Sequence, residues 1–261
     1  MLLPICLFAI VASDTVAERF AAPPGTHRVD VVDGSFGAWL RALPLLPLGA
    51  AVLSFDGRKI DATWAQAVVD LDVGSKDLQQ CADSAIRLYA EYRRWSGDID
   101  NLSFHATSGD PLPWKRYANG ERPTVVKNRI HWQHQAKPSS SAASFRAWLD
   151  RVFVWAGSRS LALDTIAVDV VVPGDLLVVG GSPGHVLLIL DVAVGAEGSQ
   201  PQWLIGQGYM PAQSFHVLGW FGIDDYGSVT VPSWPAPFAR AGRRRFAPDP
   251  VHEQTPPLQH K

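Results

Sequence analysis

The stretch PGDLLVVGGSPGHVLLILDVAV, residues 173–194, decides how this chain is read. Pro173-Gly174-Asp175 is a turn, Leu176–Val179 an apolar run, and Gly180-Gly181-Ser182-Pro183-Gly184 a tight connection. His185–Val194 follows as a continuous apolar strand. Trp203–Gln207 and Phe215–Leu218 are further strands. Short apolar runs joined by tight turns predict an antiparallel meander. One residue breaks the pattern: His185 opens an apolar strand directly after a glycine-rich turn, so it is either exposed at the strand mouth or used.

Upstream of the meander the period changes to that of a helix. Asp77–Trp95 carries Ala85, Leu88 and Tyr92 on one stripe. Asp77 is placed to cap it, with Gln80 three residues on as a capping-box variant. Arg87 and Glu91 form an i,i+4 pair. Cys81 then falls in or just beyond the first turn. Ser144–Ala156 reads as a second amphipathic helix ending at Gly157, and Ser35–Leu46 as a shorter one stopped by prolines. Ala65–Val73 alternates like a strand and ends at Gly74. Residues 97–142 are polar and rich in Gly and Pro, with short strands expected at 102–106 and 129–133. Helices that precede a run of strands predict the α+β class.

The chain has 261 residues, 47% of them hydrophobic and 18% charged, with a formal net charge of −2. That composition excludes a disordered chain. With no excess of cations to replace phosphate counterions, a nucleic-acid partner is not expected. Residues 2–12, LLPICLFAIVA, are apolar without a break, too short for a stable bilayer span but suited to the apolar region of a secretory signal peptide. Cleavage after Ser13 or Ala17 is the expectation, so that residues 1–17 form the signal, 18–246 a single domain and 247–261 a disordered tail. The expected location is the periplasm or the exterior of a bacterium. Of two cysteines, Cys6 and Cys81, only Cys81 then remains. It can be an intermolecular disulfide partner, a buried structural thiol or a reactive nucleophile.

A cysteine attacks only as its thiolate. A helix N-terminus favours the thiolate through the macrodipole and free N–H groups, and an imidazole favours it further. Cys81 has that position, and His185 is the histidine placed to act as its base. Two residues can orient the imidazole. Asp191 is six residues on, an even spacing that predicts the same face of the strand, but roughly 20 Å away. Gln207 lies on the next strand, about 5 Å away if the two strands pair, and is preferred; a hydrogen-bonded core amide is its plain alternative. Asp191 remains as a strand-end or supporting group.

The segments DVGSKDLQQCADSAIRLYAEY, PGDLLVVGGSPGHVLLILD and LIGQGYMPAQSFHVL, with FRAWLDRVFVWAG between them, resemble an uncharacterised domain family of exported bacterial proteins. More distantly, a cysteine at a helix start followed by GD-apolar and GH-apolar strands is similar to the papain-like cell-wall hydrolases of the NlpC and CHAP types. That likeness implies a papain-like α+β fold with the cysteine helix packed on an antiparallel sheet, and 97–142 as an insertion. It implies Cys81 as nucleophile, His185 as base, and Gln207 in the place of the family's His, Asn or Glu, a departure from its pattern. Gln79 and Gln80 would help donate to an oxyanion. The implied reaction is hydrolysis of an amide through an acyl-enzyme, with peptidoglycan peptides or another envelope substrate as partner. The alternatives are acyl transfer or (thio)ester cleavage on a lipid or lipoprotein by the same pair, and an inactive papain-like envelope-binding module. No cofactor and no metal are implied.

Weaker patterns complete the reading. His131 and His134 have i,i+3 spacing with no third ligand evident, so metal binding is not expected. Asp70 and Asp72 read as exposed acids on an edge strand, and Arg243-Arg244-Arg245 as a solvated basic tail. Trp64, Trp114, Trp132 and Trp203 could supply a carbohydrate-stacking surface, though most tryptophans of such a fold are expected in the core.

Overall fold

The computed structural model describes residues 14–197 and 199–247. The apolar run at 2–12 and the tail from 248 onward lie outside them. In chain order the elements are α1 (Val16–Arg19), β1 (His27–Arg28), α2 (Phe36–Arg41), β2 (Ala67–Val68), α3 (Cys81–Trp95), β3 (Ser103–His105), β4 (Pro111–Pro113), α4 (Trp114–Ala118), β5 (Glu121–Val126), β6 (Arg129–His134), α5 (Ala142–Trp155), α6 (Leu161–Asp164), β7 (Thr165–Ala167), β8 (Leu176–Val179), β9 (His185–Val194), β10 (Gln202–Gln207), β11 (His216–Gly222) and β12 (Arg243–Phe246).

The expected meander is the centre of the fold. Strands β8, β9, β10 and β11 are antiparallel neighbours. The sheet extends past them in the order β2-β11-β10-β9-β8-β12-β7, and β1 adds to the far end of β9. The architecture is α+β with an antiparallel sheet. Because side chains alternate along β9, its two faces feed two separate cores. Val186, Leu188 and Leu190 pack with Ala82, Ala85 and Ile86 of α3 and with Leu149 and Val152 of α5. Leu187, Ile189 and Val192 pack the other way, against Val229, Val231 and Phe238 of the irregular C-terminal segment. The sheet is thus held between helices on one face and loops on the other.

Helix boundaries follow the hydrogen bonds. Helix α3 begins at Cys81, not Asp77, because Asp77 Oδ1 is occupied by the amide N–H of Ala212 (2.7 Å) and by Gln80 Nε2 (3.1 Å). Gln80 is the cap instead, and its N–H donates to Asp83 Oδ2 (3.2 Å). The Arg87–Glu91 pair forms as expected, at 2.8 Å. Helix α2 stops at Arg41, short of Leu46, since Pro44 cannot extend it. Of Ala65–Val73 only β2 joins the sheet.

Residues 97–142 are more regular than their composition suggests. They form the hairpins β3–β4 and β5–β6 around α4. Leu102, Phe104, Leu112, Trp114 and Tyr117 bury into the same core as α3 and α5. The Arg243–Arg245 run is not a solvated tail but β12, inside the sheet. Each guanidinium has a partner there: the carbonyls of Asp169 and Gly227 for Arg243, Thr165 for Arg244, and Asp175 for Arg245 (2.6 Å). Trp114 and Trp203 are buried, and Arg116 lies over the ring of Trp132 (5.0 Å).

At the N-terminus, Thr15 and Glu18 close a capping box, and Val16 is fully buried with its N–H on the carbonyl of Leu43 (3.0 Å). A leader cleaved after Ser13 leaves this corner whole, whereas cleavage after Ala17 removes a core residue. Among the described residues no helix is long and apolar enough to cross a membrane.

Candidate active site

The start of α3 is wedged between the start of β9 and the end of β10. Cys81 is the first helical residue, and its sulfur is faced by the backbone amide of Val186, next in sequence to His185. Gly208, directly after Gln207, lies against the same first turn. A Cβ there would sit 2.1 Å from Ser84 Oγ and 2.9 Å from the carbonyl oxygen of Gln80. Glycine is what lets the two elements approach this closely.

His185 and Gln207 come together as expected. The ring Nε2 and Gln207 Oε1 are 2.7 Å apart. This contact engages Nε2 and leaves Nδ1 as the ring nitrogen that could accept a proton from a thiol. The amide continues a buried network. Ser233 Oγ donates to Gln207 Oε1 (3.0 Å), Gln207 Nε2 meets His216 Nε2 (3.1 Å), and His216 Nδ1 meets the carbonyl of Ser214 (3.0 Å). The His185 ring is stacked on Trp234 (centroids 4.9 Å, 14°) and edge-on to Tyr209 (5.1 Å, 69°).

Cys81 and His185 converge on one strand start but on different faces of it. The imidazole shares its face with Trp234 and Phe238, whereas Cys81 belongs to the helix that covers the Val186 face. No hydrogen bond joins the thiol to the imidazole. Both groups are neutral at rest. Burial pushes the thiol up from its ordinary value, and the nearby Asp83 adds to this, outweighing the lowering by the amides of Val186, Ala82 and Cys81. The expected thiolate-favouring effect of the helix start is therefore overridden by desolvation. Burial likewise holds His185 down to about 4, against the hydrogen bond to Gln207, and lowers His216. Asp83, two residues past Cys81, is driven up to about 8 by burial.

The other candidates separate from this centre. Asp191 is not on the face of His185. The register shifts opposite Ile189 and Asp191, and this irregularity reverses the alternation. Its carboxylate is buried against Arg41 of α2 (2.6 Å) and Arg28 (2.6 Å), an ion-pair centre that ties the N-terminal segment to the sheet. Gln79 is buried with Oε1 held by Arg87 Nη1 (3.2 Å) and Arg146 Nη1 (3.1 Å). Gln80 stays beside the thiol, but its side-chain amide is on Asp77. An open cleft of about 350 Å³ runs past Cys81, lined by Gln80, Asp83, Phe153, Met210 and the Gly181–Gly184 loop. His216, Ser233 and Trp234 were not singled out by the sequence. Nothing in their local pattern marks them, and only the pairing of His216 with Gln207 across β10 and β11 brings them in.

A family model described as a domain of unknown function, DUF4846, matches residues 16–242. The chain belongs to this family. Neither a curated protein nor a solved structure matches it.

Proposed function

We propose that this DUF4846 member is an exported, papain-like cysteine hydrolase of the NlpC and CHAP kind, cleaving an amide bond in peptidoglycan peptides. The observation that carries the reading is the His185 Nε2–Gln207 Oε1 hydrogen bond beneath Trp234, set at the strand start whose next amide faces Cys81. Gln207 orients the ring through Nε2, His185 takes the thiol proton at Nδ1, and the Cys81 sulfur attacks the amide carbon. Nitrogen leaves with that proton, and water, deprotonated by the same ring, releases the acid. The N–H groups at the start of α3 serve the oxyanion. Since both groups rest neutral, the proton moves as substrate fills the cleft, which requires the thiol and the imidazole to close on each other. Export to the periplasm or the cell exterior is part of this proposal, and the apolar run at residues 2–12 supports it.

The same neutrality, together with the absence of a thiol–imidazole hydrogen bond, favours a second reading, an inactive module that binds an envelope partner through the cleft. Incubation with purified muropeptides, followed by mass spectrometry, decides between them. The hydrolase reading expects new amine and acid termini from the wild type and none from Cys81→Ala. Equal cleavage by Cys81→Ala, or none by either protein while muropeptides still bind, overturns it.

A further inference from the structure

We infer that His216 is a positioning residue that sets the tautomer of His185 through the side-chain amide of Gln207. This rests on the functional reading only for its consequence, since the hydrogen-bond logic stands by itself. The carbonyl of Ser214 can only accept, so His216 Nδ1, 3.0 Å away, must carry the hydrogen. His216 is fully buried and desolvation keeps it neutral, so its Nε2 has only a lone pair to offer. The Gln207 group 3.1 Å from that lone pair must therefore be the amide nitrogen, and Oε1 must face His185. An oxygen 2.7 Å from His185 Nε2 requires a hydrogen on Nε2. Nδ1 is left with the lone pair, the form in which it can accept a proton from a thiol.

No other neighbour can impose this order. The Ser233 hydroxyl also lies on Gln207 Oε1 (3.0 Å), but a hydroxyl can donate or accept and would tolerate either amide orientation. Trp234 and Tyr209 hold the His185 ring by stacking and edge contact without reference to its protons. If the acceptor at His216 is lost, the amide can rotate and present its N–H₂ to His185, which then moves its hydrogen to Nδ1 and loses the basic position.

The test is a two-bond proton–nitrogen correlation spectrum of the imidazoles near neutral pH, with rings assigned by their loss in His185→Gln and His216→Gln. The wild type should show His216 hydrogenated at Nδ1 and His185 at Nε2; the opposite form at either assigned ring of the wild type overturns the inference. His216→Phe, which offers no acceptor, should convert His185 to a tautomer mixture or to the Nδ1–H form. His216→Gln, whose side-chain oxygen can replace Nε2, should keep the wild-type form of His185. A folded His216→Phe with His185 unchanged also overturns it. The failures are separable: if tautomers shift as stated while Cys81→Ala still cleaves, the inference holds and the hydrolase reading falls.

Discussion

The surroundings of His185 and of Cys81, at the start of β9, solve the same problem in opposite ways. On the face of His185, every polar group of the buried network has a complementary neighbour: imidazole to amide, amide to imidazole, imidazole to carbonyl, hydroxyl to amide. On the face of Cys81, burial is not matched by partners. Asp83 Oδ1, Ser84 Oγ and Gln79 Nε2 are buried without hydrogen bonds, and the thiol is pushed away from its reactive form. A satisfied network rigidifies its surroundings, whereas orphaned groups cost roughly 1–3 kcal/mol each. The orienting half of the candidate site is preset, and the nucleophile half, which borders the cleft, is held at a cost that a ligand could relieve.

The strongest way to break this contrast is Asp83→Asn. With Asp83 near 8 in the fold against 3.8 in the open chain, the unfolded state sheds a proton that the folded state keeps, so stability falls as pH rises through that window. At pH 7 the gap is worth about 4 kcal/mol, and the neutral amide of the variant should recover much of it while still accepting from the N–H of Gln80. Denaturant midpoints at pH 4 and pH 7 check this, and a variant stabilised equally at both is the contrary result. Above pH 8, where Asp83 is ionised, Cys81 in that variant should also react faster with iodoacetamide, because the charge that disfavours the thiolate has gone.

Acid tests the other face with the opposite sign. His185 is neutral and near 4 in the fold, so between 6.5 and about 4 the unfolded chain binds the extra proton. Its contribution is complete above pH 6.5 and is lost as pH falls, by about 3 kcal/mol at the lower limit. In the Asp83→Asn background, urea titrations against pH with and without His185→Gln separate this loss from that of the similarly desolvated His216 and from the raised carboxyls of Asp164 and Asp175. The same pH dependence from pH 7 to pH 4 in both proteins would show that His185 is not the desolvated group described.

The smallest effect expected is at the seam. Gly208→Ala places a methyl group against Ser84 Oγ and the backbone of Gln80. Overpacking of this kind costs about 1–3 kcal/mol. The loss should come with a change in Cys81 labelling, because the wedge moves with it. A loss of stability without altered labelling would separate the two faces rather than link them.

Much of this was legible along the chain. The meander announced itself through apolar runs and Gly/Pro turns, and α3 and α5 through their period. The α2 boundary, the shortening of Ala65–Val73 to the two residues of β2, the strand β1, and β12 were not, because partners distant in sequence decide them. Three arginines in a row read as solvated until Asp175, Thr165 and two carbonyls are placed around them. Asp191 shows the limit most plainly. Even spacing is a sound rule for a regular strand, but one irregularity opposite Leu204 and Ile205 sends it to the other face.

By itself, the sequence determined the α+β class, the antiparallel order of the central strands, and the positions of Cys81, His185 and Gln207 at element ends. These follow from local periodicity, turn chemistry and residue type. Only the tertiary structure decided that Gln207 rather than Asp191 meets the imidazole, and that a second histidine stands behind the amide. It also decided that the thiol rests protonated beside a neutral carboxyl. Register, burial and desolvation arise only when distant segments close around a group, and no run of neighbouring residues records them.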